Sequence, residues 1–241
     1  MRAITLNLGY PGPTGGKLAE MLTQIADLKP DFLGVQGAKG WEKANAPFPY
    51  GGQVFHTAEE TLNMRGYLVP SAHDGHHLVG FVSEAVRVVG QDHEVGAPFW
   101  HGVVCLDLRM GDHDFRGVVT QAAPDSPRLR EIEAEALAEK TKVERVVMLG
   151  GWNAVPTSHP GGGPRRKNDV AAARALEEVN LLDAATEVGN ATPTVLTPMP
   201  YQSDRVYFKG LTVKTVQIVG VGSKHAAAVV DFAIPTQSGA A

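Results

Sequence analysis

Ten short runs rich in Val, Ile, Leu and Phe, most of them bounded by Gly, Asp or Pro, limit the folds open to this chain more than any other feature. They cover residues 4–8, 32–36, 77–82, 86–89, 103–108, 115–120, 145–149, 206–208, 211–219 and 227–234. Helical spacing occurs in only three places. Residues 17–28 set Leu18, Met21, Leu22, Ile25 and Leu28 on one face, and Pro30 stops the run. Residues 126–139 open on Ser126-Pro127, an N-cap followed by proline at the first helical position, and carry Leu129, Ile132 and Leu137. Residues 169–179 carry Val170, Ala173, Leu176 and Val179. So many strands with so few helices predict two packed sheets covered by helices. No linker, internal repeat or low-complexity tract divides the 241 residues, so a single domain over 1–241 is expected.

Charge and cysteine content narrow the function classes. A net charge of −4 offers no overall attraction to nucleic acid or to an anionic membrane. The local exception, Arg165-Arg166-Lys167, reads as a solvated turn or helix start. Cys105 is alone, which excludes an internal disulfide, and it lies in an apolar run that marks it as core. No apolar stretch approaches the roughly 20 residues of a membrane-spanning helix. The opening Met1-Arg2-Ala3-Ile4-Thr5-Leu6 reads as a strand, and a cytoplasmic location is expected. A texture rich in Ala, Gly and Val suggests a high-GC bacterium and fits a specialised biosynthetic role. No Walker loop, dinucleotide fingerprint, nucleophile elbow or zinc spacing is present, so no cofactor is expected. His73-Asp74-Gly75-His76-His77 is rich in metal-ligating types. Its last two histidines are adjacent, however, and would face opposite ways in a strand.

Five segments occur in a telling order: Leu6-Asn7 at a strand end, Pro30-Asp31-Phe32-Leu33-Gly34-Val35-Gln36, Val147-Met148-Leu149-Gly150-Gly151-Trp152-Asn153-Ala154, Ser203-Asp204-Arg205-Val206-Tyr207 and Ser223-Lys224-His225-Ala226. Together they make the chain resemble, over nearly its whole length, the endonuclease/exonuclease/phosphatase superfamily with its DNase I-like fold. The resemblance implies an α/β (α+β) architecture: a four-layer αββα sandwich of two mainly antiparallel sheets, with the site at one end. It also implies Mg²⁺-dependent phosphodiester or phosphomonoester hydrolysis.

Four departures contradict that activity. The family's metal-binding carboxylate after Leu-Gln falls on Gly37, its Thr-His-Leu histidine on Gln121, the aspartate of Gly-Asp-x-Asn on Gly151, and the aspartate of Ser-Asp-His on Lys224. Mg²⁺ is usually held by one or two carboxylates with water and substrate phosphate. A unit charge 4 Å away is worth about 4 kcal/mol at an effective dielectric of 20, so Lys in place of Asp turns attraction into comparable repulsion.

The resemblance pairs the terminal histidine with the aspartate of the preceding motif, and both persist as His225 and Asp204. An imidazole oriented by a carboxylate is a competent general base without a metal. The expected site therefore has His225 and Asp204 as catalytic groups. Asn7, Gln36, Gln121, Asn153, Lys224, Trp41, Tyr50, Trp152 and Tyr201 are expected to bind a small organic ligand, with no metal. Isomerisation, cyclisation or elimination of a metabolite would suit such a pair. The alternatives are a non-catalytic protein that binds a ligand or protein partner, and a metal-dependent phosphodiesterase or phosphatase with substitute ligands.

Overall fold

Alternation along the strands decides which side chains meet between the layers. In a computed structural model, described over residues 1–9, 12–43, 51–73, 75–159, 164, 167 and 169–235, the elements run in this order: β1 (Arg2–Asn7), α1 (Gly15–Asp27), β2 (Phe32–Gln36), α2 (Gln53–Leu62), β3 (Arg65–Val69), β4 (Leu78–Val82), β5 (Arg87–Gly96), β6 (Phe99–Met110), β7 (His113–Gln121), α3 (Pro127–Lys140), β8 (Val146–Gly151), α4 (Ala171–Glu177), β9 (Leu182–Asp183), α5 (Ala184–Glu187), β10 (Asp204–Lys209), β11 (Thr212–Val219) and β12 (Ala227–Ala233). They form two six-stranded sheets, ordered β11-β12-β1-β2-β4-β3 and β5-β6-β7-β8-β10-β9. Only β1–β2 and β7–β8 pair in parallel, and the other neighbours are antiparallel.

Side chains at every second position fill the space between the sheets, among them Phe32, Leu106, Val119, Leu149, Val206 and Val230. The intervening residues face outward. Ile4, Leu33 and Phe81 pack with Leu22, Ile25 and Phe55 of α1 and α2. On the other face Val118, Met148 and Tyr207 pack with Leu137 and Leu176 of α3 and α4. The result is the four-layer α/β sandwich that the sequence predicts.

All ten predicted strands and all three predicted helices form, with shifted ends. Ser126 caps α3 as expected, its hydroxyl accepting from the Leu129 amide at 3.2 Å. The sequence reading misses α2, β3 and the short β9 and α5, and β5 runs to Gly96 rather than stopping at Val89. Cys105 is buried in the outer core as expected, and burial pushes its thiol up to about 11.

Candidate functional site

Both parallel pairs finish at the same end of the sandwich, where three of their four last residues are polar. In the first sheet, Asn7 closes β1 beside Gln36, which closes β2. In the second, Gln121 closes β7 beside Gly151 at the end of β8, and Gly151 faces Asp204 at the start of β10. Between the sheets, the Asn7 Nδ2 group donates to Asp204 Oδ1 at 3.0 Å. The other oxygen of Asp204 accepts from His225 Nδ1 at 2.6 Å. The Asp204 side chain is fully buried and that of His225 is 19% exposed, so the carboxylate lies at the bottom and the imidazole at the rim.

Short loops fix these three residues. The Thr194 hydroxyl accepts from the amides of Ser203 and Asp204 at 3.0 and 2.9 Å, setting the entry to β10. The Ser223 hydroxyl accepts from the His225 amide at 3.2 Å, two residues before β12. The Asn7 carbonyl oxygen accepts from the Gly9 amide at 2.9 Å, which aims its NH₂ at Asp204. Since a carboxylate only accepts, Nδ1 of His225 carries the proton and Nε2 is left as the basic nitrogen. Burial lowers the His225 pKa, but attraction to Asp204 and the hydrogen bond outweigh it. The net direction is upward, with Lys224 opposing.

The sequence-predicted residues divide in two. Asn7, Gln36, Gln121, Asp204 and His225 converge. Gln36 is fully buried beneath the end of the sandwich: its carbonyl accepts from the Thr5 hydroxyl at 3.2 Å, and its NH₂ has no hydrogen-bond partner among the described residues. The Gln121 carbonyl is likewise unpartnered among them. Lys224 is exposed and borders a groove of about 360 Å³ shared with Leu8, Gly9, Pro13 and Lys17.

Asn153 is tied into the scaffold, donating to the Ala122 carbonyl at 2.8 Å and accepting from Lys167 Nζ at 3.1 Å. The expected ring of aromatics is corrected by the structure. Gly151 faces inward, so Trp152 turns out under α3 and α4, 1% exposed and 4.9 Å from the Tyr207 ring. Trp41 is 2% exposed and packs edge-on to Phe81, 6.3 Å away, in the core beneath α1 and α2. Tyr201 is buried in a small cluster with Val155 and Val195. Tyr50 lies outside the described residues. A larger groove, about 890 Å³, is elsewhere: it is lined by Glu59, Arg65, Tyr67, Glu84 and Arg87, and Val82 places it at the far end of β4 from the site.

Comparison with solved structures matches this architecture along almost its full length. The human Nocturnin catalytic domain with bound sulfate superposes with a TM-score of 0.75 at 15% identity, covering 98% of this chain and 94% of that one. An endonuclease/exonuclease/phosphatase family protein from Leptotrichia buccalis gives 0.74 at 12% identity over 97% and 99%. The fold is DNase I-like. A mannosyl-6-phosphatase from Bacteroides thetaiotaomicron shares it too, with a TM-score of 0.69 at 14% identity over 97% and 99%. No family model and no curated protein matches the sequence.

On this DNase I-like frame, the donor set does not fit the Mg²⁺ that the resemblance implies. Among the described residues Asp204 is the acid at the point of convergence, and its two oxygens accept from Asn7 and His225. A Cβ added to Gly151 would lie 2.8 Å from Asn7 Nδ2 and 3.1 Å from Asp204 Oδ1, so a carboxylate there is incompatible with the observed contact. Gly37 has φ +76, a left-handed conformation that an L side chain rarely adopts. Among the described residues, no cluster of three or more His, Cys, Asp and Glu is arranged to hold a metal ion.

Sequence reasoning missed two neighbours of the site. Gly9 lies against the His225 ring: an added Cβ would sit 3.5 Å from its Cδ2. His76 lies over Gly37, its Nδ1 3.8 Å from where a Cβ would be. The adjacency of His76 and His77 held a usable signal. The two do part company, His77 turning to Glu42 at 2.9 Å and His76 to the site.

Proposed function

We propose that this protein is an acid–base enzyme acting on a small organic metabolite by isomerisation, cyclisation or elimination, with no metal in the reacting step. The observation that carries this reading is the 2.6 Å contact between His225 Nδ1 and a fully buried Asp204, itself held from the other side by Asn7. Asp204 fixes the tautomer and stabilises the imidazolium, which leaves Nε2 to remove a proton from the substrate and return it elsewhere. Lys224, at the rim, supports a group that becomes anionic as the proton leaves. Gln121 offers an acceptor, and Gln36 a donor from below.

The test is conversion of small metabolites from a bacterial extract, followed by mass spectrometry in excess EDTA, with wild type, H225Q and D204N in parallel. Consumption of at least one metabolite by wild type and its loss in H225Q are expected. Turnover that H225Q retains in full, or activity confined to Mg²⁺-stimulated phosphoester hydrolysis, overturns the reading.

A further inference from the structure

Two histidines lie beside a pair of neighbouring glycines at this end of the molecule. On one side stands His225, its Nε2 4.0 Å from a Cβ added to Gly9. On the other stands His76, its Nδ1 3.8 Å from a Cβ added to Gly37. The glycines are neighbours: a Cβ added to Gly37 would lie 3.4 Å from the Gly9 carbonyl oxygen and 3.7 Å from its amide nitrogen. His225 thus neighbours Gly9, His76 neighbours Gly37, and the two glycines neighbour each other, with no side chain at position 9 or 37.

We propose that His76 is a second acid–base group for the site, working opposite His225 on a substrate that lies over Gly9 and Gly37. The proposal rests on the acid–base reading above and adds to it the class of substrate. Such a molecule is short, with a removable proton at one end and an oxygen that accepts a proton at the other. His225 Nε2 takes the first proton as its C–H or O–H bond breaks. The freed electron pair forms a new π or ring bond, and the bond displaced moves its electrons onto the far oxygen. That oxygen receives a proton from the His76 imidazolium. The substrate loses one proton and gains one, and exchange with water resets both rings.

The surroundings of His76 support a positioned ring. Its amide donates to the His73 carbonyl at 3.4 Å, and its ring lies 5.8 Å from that of His101, which is held by the Ser71 hydroxyl at 3.1 Å. Ser71 also ties the loop to His77, its amide donating to Nδ1 at 3.0 Å. Among the described residues, the ionisable groups near His76 include His101, whose ring is 5.8 Å away, and its chain neighbour His77, which pairs with Glu42. Those facing His225 are Asp204 and Lys224.

Inorganic sulfate serves as the probe, followed by the ring signals of ¹⁵N-histidine-labelled protein at pH 6 and pH 8. The expected result is that sulfate moves the His225 and His76 signals together at pH 6 with one dissociation constant. H76Q and H225Q should each raise that constant at least five-fold without altering the remaining amide spectrum, and binding should fade at pH 8. Movement of His225 alone, or an unchanged constant in H76Q, overturns the role of His76 and leaves the His225–Asp204 reading standing. Movement of neither ring also overturns it. The dyad itself is judged by turnover in H225Q, so the two failures are distinguishable.

Discussion

Gly151 shows how one missing side chain shapes the chemistry around it. Its hydrogen leaves room for Asn7 to reach across the sandwich to Asp204, and Asp204 in turn holds His225. G151D should therefore lose about 1–3 kcal/mol of stability by overpacking, and like charge beside Asp204 adds to the penalty. Urea denaturation measures the loss, and titration with Mg²⁺ should show no site gained. D204N makes a second prediction. Removing the carboxylate leaves burial unopposed, so the His225 pKa should fall from above its ordinary value to below it in an NMR titration. The sign for stability follows. The pair's contribution is full below the ordinary histidine pKa and is lost as pH rises through the raised one, so D204N should be most destabilised on the acid side. At this scale the sequence was legible where a residue's partner lay in a neighbouring motif, as for His225 and Asp204. It misled for Trp152 and Trp41, because a large aromatic near a motif looks the same whether its strand or loop turns it to the cleft or to the core.

At the scale of elements, α3 does more than cover a sheet. Its Glu133 is 1% exposed and accepts from the amides of Trp100 at 2.7 Å and Ala123 at 2.8 Å, clasping the start of β6 to the segment after β7. Burial, opposed by those two amides and Arg130, pushes this carboxyl up to about 7. An acid with a raised folded pKa stabilises below its unfolded value and loses that contribution as pH rises. Wild-type stability relative to E133Q should thus decline between pH 4.5 and about 7, by on the order of 3 kcal/mol. Urea midpoints across that range check it, and a flat difference would contradict it. Helix α2 and strand β3 escaped sequence reading for different reasons. The buried face of α2 is only Phe55, Ala58 and Leu62, following Gly52 at its start. Strand β3 is half-exposed apart from Val69 and begins with Arg65-Gly66, without the apolar run that marks its neighbours.

At the scale of the whole molecule, the site depends on two sheets holding a fixed separation. Leu149, fully buried between them, lies two residues before Gly151 on β8. L149A should cost about 2–5 kcal/mol by urea denaturation. The layered architecture was readable because strand alternation and three amphipathic stretches leave few other ways to bury so many apolar faces. The placing of His76 beside Gly37 and of His225 beside Gly9 was not, because it depends on the path of loops at the end of the sandwich, and no periodicity encodes that. One further consequence follows from strand order. β1 lies between β2 and β12, which is far from it along the chain. Asn7 and Asp204 are separated by 197 residues, and His225 comes 21 residues after Asp204. During translation His225 is thus the last of the three to leave the ribosome. The contact among the three residues therefore cannot close until β12 has been made and has docked beside β1.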